Sequence, residues 1–304
     1  MTVPEERPVD RPPVCDYEGS QYQQTFWDTG ERVYEDQTEA RALAALLPAR
    51  GRLLLEIGAG AGRNTPRYAG FERVVVMDYS RTQLEQAQAR LGRSERYIYV
   101  AANVYALPFA AGLFDAATMI RVIHHLADAP AALGQVRAVL APDATFILEF
   151  ANKRNLKAIL RWLLRRQAWN PFAPEPVEFV KLNFDFHPRT LLGWLRAAGL
   201  TPQQIRALSY FRLGALKRLV PTKLLVGLDA LLQPTGQWLQ YSPSIFVRAT
   251  ATGPGAAAPA GQFFRCPACC STDLAPAAEA LVCQGCGRAW PVTNGIYDFR
   301  GERE

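Results

Sequence analysis

Histidine is scarce in this chain. Only His124, His125 and His187 occur in 304 residues, so chemistry that needs an imidazole near neutral pH has few places to reside. Cysteine is equally thin over most of the length: of six, five fall after residue 265, and the sixth is Cys15. Disulfides therefore do not staple the main body, and in a reducing compartment the late paired cysteines argue for metal. No run approaches the roughly 20 consecutive apolar residues of a membrane span. The opening stretch MTVPEERPVDRPPVCDYEGS is polar and proline-rich without an apolar centre, which speaks against a secretory signal. The expected location is the cytoplasm, with peripheral attachment to a membrane as an option.

What is present is ordinary for a globular chain: 49% hydrophobic and 20% charged residues. That is enough for one sizeable α/β core and a small satellite. The net charge of +6 is moderate; it permits contact with nucleic acid or an anionic membrane and requires neither. The cations are uneven, however, and Lys153, Arg154, Lys157, Arg161, Arg165 and Arg166 crowd one stretch.

Residues 1–16 read as a disordered leader, followed by an aromatic stretch with Tyr17, Tyr22, Phe26 and Trp27. Together, residues 1–30 form a leader and N-terminal cap. A helix is predicted from Glu31 to Leu47, ended by Pro48. Five short apolar runs then alternate with helical stretches: RLLLEIG, RVVVMD, RYIYVAAN, FDAATMI and TFILEF. Ser80 suits the N-cap of the helix that opens SRTQLEQ, and Gly92 its end. QQIRALSY and SPSIFVRAT add two late strands, after a helix in HPRTLLGWLRAAGL that stops at Gly199. Alternation of this kind predicts a doubly wound sheet, mostly parallel, with helices on both faces. The main domain spans 31–250, with a basic amphipathic insert at 151–185 and a second insert at 211–240. Small residues at 249–261 form a linker, and 262–304 a separate module.

EIGAGAG lies between a strand and a helix, where glycine lets backbone approach a ligand and exposes helix N-terminal amides. A dinucleotide fingerprint would need glycine at 63, which is Arg63. The spacing Gly58, Gly60, Gly62 after Glu56 instead resembles the first motif of class I S-adenosylmethionine-dependent methyltransferases. Asp78 follows at the end of the next strand, where an acid would accept the ribose hydroxyls. ANVYALPF is similar to the family's third motif, FDAATMIRVIHHLADAP to its fourth, and VLAPDATFILEF to its turn into the fifth strand. Asp143 and Ala144 stand there in place of two glycines. The resemblance covers residues 31–250. It implies a Rossmann-like, seven-stranded mixed sheet and an S-adenosylmethionine site made by Glu56, Gly58, Ala59, Gly60, Gly62, Asp78, Tyr79, Asn103, Val104 and Arg121. Tyr79 would lie against the adenine; Asn103 replaces the usual acid and can still accept one hydrogen bond.

Methyl transfer is an in-line displacement that needs alignment and, for some acceptors, removal of a proton. His124, His125 and His187 fall near the carboxyl ends of the strands and are the candidate bases; each could equally serve packing. Arg121 could bind an acidic substrate group or form a local ion pair. No Asn-Pro-Pro-Tyr-type motif of base methylation occurs, and no cysteine lies near the core strands. The resemblance is therefore to enzymes acting on small molecules of quinone, lipid and secondary-metabolite type. Leu156, Ile159, Leu160, Leu163 and Leu164 form an apolar stripe amid Lys and Arg, and a second amphipathic run covers Leu213–Leu232. Such segments can rest on a membrane surface, cap an apolar pocket or pack on their own domain.

Cys266 and Cys269 form one pair, Cys283 and Cys286 the other, with 13 residues between. Four thiolates at this spacing predict a closed structural zinc site. Cys270 could replace Cys269 or remain a free thiol. The tail CGRAWPVTNGIYDF resembles the zinc-ribbon activator subunit of several tRNA, rRNA and protein methyltransferases. That likeness implies a ribbon docked on its own catalytic domain through Trp290 and Ile296. Two other readings stand beside this one: an RNA methyltransferase that binds RNA through the basic insert and the ribbon, and a non-catalytic partner with a methyltransferase fold. Between Cys266 and Glu304 only Arg288, Arg300 and Arg303 are basic, which makes nucleic acid the weaker partner.

Overall fold

A computed structural model of the chain describes residues 12–21 and 23–301. Residues 1–11 of the expected leader, and Tyr22 of the aromatic stretch, lie outside the described residues. Residues 12–16 do not behave as a loose leader: Val14 bridges Leu126, and Cys15 is half-buried.

Helix α1 (Val33–Leu46) buries Ala42, Leu43 and Leu46 on one face and ends before Pro48. Strand β1 (Gly51–Ile57), with burial unbroken from Leu53, has the continuous apolar run of a central parallel strand. It pairs in parallel with β2 (Phe71–Asp78), which leads into α2 (Arg81–Leu91). The Ser80 hydroxyl accepts from Gln83 N–H at the start of α2, and Gly92 closes it at φ +79°. Strands β3 (Tyr97–Ala101) and β4 (Phe114–Met119) flank β2 and β1, and α3 (Ala129–Val139) runs into β5 (Leu140–Ala151). Asp143, at φ +60°, takes the left-handed conformation in β5 at a position where the resembled family has glycine.

The 151–185 insert folds as α4 (Leu156–Leu163) and a hairpin of β6 (Val177–Val180) and β7 (Asn183–Asp185). Then come α5 (Pro188–Ala197), β8 (Leu200–Leu208), α6 (Gly214–Leu219), α7 (Thr222–Leu232) and β9 (Ser244–Ala251). β9 is antiparallel to both β5 and β8. Seven strands thus stand in the order β3-β2-β1-β4-β5-β9-β8.

The sheet does not end there, and the expectation of seven strands is corrected to eleven. The C-terminal segment contributes β10 (Leu274–Pro276), β11 (Ala280–Cys283), β12 (Ala289–Thr293) and β13 (Ile296–Asp298). β13 pairs in parallel with β3, placing Ile296 opposite Tyr99 and Asp298 opposite Ala101. The open edge of β3 is thereby covered, and an uncovered edge is what a parallel sheet cannot leave exposed without risk of aggregation. Ile296 is fully buried, and Trp290 and Phe299 join the apolar core that runs through β4 and β5. The linker is also different from expectation. Ala249–Ala251 belong to β9, and the rest is pinned: Arg137 donates to the carbonyls of Thr252 and Pro254, and Ala258 N–H to that of Gly112.

Candidate functional site

The strand order reverses between β1 and β4, and there the loops leave opposite sides and open a crevice at the carboxyl ends. Gly58 has φ +68° and Gly60 φ +54°. A Cβ on Gly58 would sit 2.1 Å from a Val122 methyl, so glycine is required there by backbone angle and by space. Gly60 N–H donates to Asp78 Oδ2 at 2.8 Å, and Ser80 N–H donates to Asp78 Oδ1 at 2.9 Å. Burial raises the Asp78 carboxyl above its ordinary range, although these backbone donors oppose it.

A cavity of about 130 Å³ lies over this turn. Gly58, Ala59, Gly60, Asp78, Tyr79, Val104, Arg121 and His125 line it, so the structure brings eight of the anticipated residues together. Its other walls were not legible: Tyr17, Gln23 and Trp27 come from the N-terminal segment, and Asn64 and Arg63 from the loop after the glycines.

Five anticipated cofactor or catalytic residues do not line the cavity: Glu56, Gly62, Asn103, His187 and His124. Glu56 points away, accepting from Thr65 Oγ1 at 2.6 Å and Tyr68 OH at 3.3 Å. Gly62 backs onto Leu91 and Ala87 of α2, where a side chain would clash. Asn103 Oδ1 is taken by Tyr105 N–H at 2.9 Å and shapes its own turn. His187 caps α5: its Nδ1 accepts from Arg189 N–H at 3.2 Å. Burial, together with Arg154 and Lys153, pushes that imidazole down to about 4.

Arg121 is engaged by a carboxylate of the chain itself. Its Nε donates to Glu39 Oε1 at 2.7 Å, and Arg63 Nη2 donates to Glu39 Oε2 at 2.7 Å. Burial would raise the Glu39 carboxyl, yet the two guanidinium groups hold it down at about 2. The Trp27 ring lies over both arginines, 3.6 Å from Arg63 and 4.8 Å from Arg121. Of the two readings of Arg121, the local ion pair is the one realised.

The paired histidines diverge. His125 Nδ1 donates to the Leu182 carbonyl at 3.1 Å, which leaves Nε2 to accept from Tyr17 OH at 3.3 Å. Its ring thus latches the N-terminal segment to the β6–β7 connection. His124 has a buried Nδ1 with no hydrogen-bond partner. Burial and the neighbouring His125, Arg121 and Arg212 lower its basicity well below the usual value.

Two carboxylates outside the cavity lining were not anticipated. Glu149, near the end of β5, accepts from Ser244 Oγ at 2.6 Å and from Arg121 N–H at 2.9 Å. Asp185, on β7, is pushed up to about 7 by burial and by the charge of Glu149. Glu149 was readable as an acid closing TFILEF; Asp185 carried no local signal, because only the fold of the insert brings it within range of Glu149.

Among the described residues, the four cysteine sulfurs of Cys266, Cys269, Cys283 and Cys286 lie within 4.8 Å of one another. Cys269 and Cys283 are 3.4 Å apart, Cys266 and Cys286 3.8 Å. Cys270 is not part of the cluster; at φ +64° it forms the turn beside it.

Residues 55–148 match the family described as "Methyltransferase domain". That match to a methyltransferase domain covers about a third of the chain. Curated relatives include a demethylmenaquinone methyltransferase of Clavibacter sepedonicus, 28% identical over 54% of this chain and 72% of its own length. An O-methyltransferase of Penicillium expansum is 30% identical over 38% of this chain and 44% of its own. The ubiquinone/menaquinone biosynthesis C-methyltransferase of Paracoccus denitrificans is 31% identical over 41% of this chain and 52% of its own. This chain thus spans about half the length of several curated relatives it matches. Among solved structures, a chain from the complex between the Haloferax volcanii Trm112 methyltransferase activator and a methyltransferase superposes with TM-score 0.54. It is 15% identical, over 76% of this chain and 96% of that one. A Listeria monocytogenes S-adenosylmethionine-dependent methyltransferase superposes with TM-score 0.52 at 16% identity, over 72% of this chain and 99% of its own. Both likenesses concern the fold of the methyltransferase domain.

Proposed function

We propose that the chain transfers a methyl group from S-adenosylmethionine to a small, amphiphilic or aromatic molecule. The observation that carries this is the Gly58–Gly60 turn held against Asp78 in a cavity walled by Tyr79, Val104 and Trp27. Buried backbone amides beside a single carboxylate suit a neutral, hydroxyl-bearing nucleoside rather than a pyrophosphate. Bound there, S-adenosylmethionine would supply an electrophilic methyl on a sulfonium. The Gly58, Ala59 and Gly60 backbone, Asp78, Tyr79 and Val104 are the residues placed to hold it. Names of relatives that act on menaquinone and ubiquinone precursors support the substrate class.

The chain's own acid–base groups suggest how an acceptor would lose a proton. His125 has both nitrogens engaged and His187 caps a helix. His125 is the one anticipated base that lines the cavity, so an acceptor that must lose a proton would have to displace one of its two partners.

The cysteine cluster fits zinc. Four thiolates about 2.3 Å from a tetrahedral ion stand about 3.8 Å apart, close to the spacings here. Cys266, Cys269, Cys283 and Cys286 would then hold the ribbon in shape, so that β13 can cover β3 and stabilise the catalytic domain. Residues 262–304 carry only four cations, Arg265, Arg288, Arg300 and Arg303, and Arg300 is spent on Asp298 and Glu18; this disfavours an RNA-binding ribbon.

Titration calorimetry with S-adenosylhomocysteine tests the reading. Micromolar binding by the wild type, weakened at least about tenfold in Asp78→Asn, is expected. No binding by the wild type would reject the function.

A further inference from the structure

Helix α4 presents its leucines outward. Leu156, Leu160, Leu163 and Leu164, at the i, i+4, i+7 and i+8 spacing of one helical face, are all exposed, Leu163 to 62%. The inward face is Ala158, with Ile159 and Trp162 half-buried. A helix packed on its own domain would show the reverse. Helix α7 repeats the pattern, with exposed Leu224, Leu228, Leu231 and Leu232 opposite buried Leu225, Val226 and Asp229.

The segment between them joins the two. After α7 the chain passes through exposed Trp238, Leu239 and Tyr241, and the Tyr241 carbonyl accepts from Leu156 N–H at 2.9 Å. Phe179 and Val180 at the end of β6 are exposed as well, and Phe179 meets Trp169 edge-on. Around these apolar groups stand exposed Lys157, Arg161, Arg165, Arg166 and Lys181. Residues 153–181 carry seven Lys and Arg against only Glu175 and Glu178.

We propose that this face seats the protein on an anionic lipid surface. Leucine and tryptophan side chains beside a row of cations are the two signals that together give stable interfacial binding, each being weak alone. A protein partner would have to match both the apolar rows and the cations, whereas an anionic bilayer offers both by its nature. The face also leads to the site. The β6–β7 connection bearing Lys181 supplies the Leu182 carbonyl that holds His125 in the cavity wall. The inference deepens, and rests on, the reading of an amphiphilic substrate, because it sets the cavity beside the place where such a molecule resides.

Co-sedimentation with phosphatidylcholine vesicles, with and without about a third phosphatidylglycerol, tests it. The full chain should sediment with the anionic vesicles only. The double substitution Leu160→Asp with Leu164→Asp should weaken binding by about tenfold or more. No binding at low salt overturns the proposal. So does binding that salt abolishes but the leucine substitutions leave unchanged, since cations alone would then explain it. Self-association without lipid, lost in the leucine variant and unaccompanied by vesicle binding, overturns it in favour of a second copy of the chain. S-adenosylhomocysteine affinity, measured on every variant, should stay at the wild-type value; its absence from the wild type would count against methyl transfer and not against the lipid surface.

Discussion

The guanidinium of Arg300 donates to the carbonyl oxygen of Tyr79 at 3.2 Å. The same Nη1 reaches Glu18 Oε2 at 2.9 Å, and Asp298 fixes the group from behind at 2.5 Å. Glu18 in turn accepts from the N–H groups of Arg81 and Thr82 in the first turn of α2. One cation from the C-terminal segment therefore ties together the N-terminal cover, the Tyr79 loop after β2 and its own segment.

Arg300→Ala should accordingly weaken S-adenosylhomocysteine binding although Arg300 does not line the cavity. Loss of charge-assisted bonds of roughly 1.5–3 kcal/mol corresponds to about tenfold or more in affinity. Calorimetry on the variant checks this, and an affinity equal to wild type would show the tie to be ornamental to the site.

Metal removal should act at a distance too. A ribbon of this size has too small a core to hold itself, so chelation or Cys283→Ser should unfold it and bare the β3 edge. The expected result is one zinc per chain by metal analysis, and a melting temperature several degrees lower after removal. A chain that contains no zinc, or melts unchanged without it, would refute the structural role.

Acid stability should depend on Glu39. Its carboxyl lies at about 2 when folded, below the ordinary value near 4.3. A depressed carboxyl contributes stability that is fully present above its unfolded value and is lost as pH falls from about 4.3 toward 2. Glu39→Gln should flatten that part of the stability profile and cost on the order of 3 kcal/mol at neutral pH. Denaturant titrations at several pH values measure both.

Glu56 should behave in the opposite way. Burial pushes its carboxyl up to about 7, so ionising it weakens the fold as pH rises from the ordinary carboxylate range through 7. Glu56→Gln keeps the Thr65 and Tyr68 partners within reach and should stabilise the protein above pH 7. Its S-adenosylhomocysteine affinity should remain within about twofold of wild type, because the side chain faces away from the cavity. A loss of tenfold would return Glu56 to the binding site.

Much of the site was legible because its signals are local. The glycine turn must follow a strand and precede a helix, and Gly58 and Gly60 show their need for glycine in backbone angle. Ser80 caps α2 as its position suggests, and Asp78 closes β2 where the apolar run ends. The late cysteines announced themselves by spacing. By contrast, Glu56, Gly62 and Asn103 sit in the right motif yet turn inward or toward their own loops, since a motif fixes position along the chain and not side-chain direction. Trp27, Gln23 and Asp185 belong to segments distant in sequence and had no pattern to reveal them.

The sequence by itself determined the alternation of strands and helices, the turn that can receive a nucleoside and the four thiols that can hold a metal. Periodicity, glycine and cysteine spacing act over a few residues, and such effects survive without knowledge of the rest of the chain. Only the tertiary structure decided that the ribbon strands extend the sheet past β3, that Glu39 claims Arg121, and that two rows of leucines face outward. These depend on which surfaces meet. That choice is made by competition for burial and charge neutralisation across the whole fold, and no short stretch of sequence contains it.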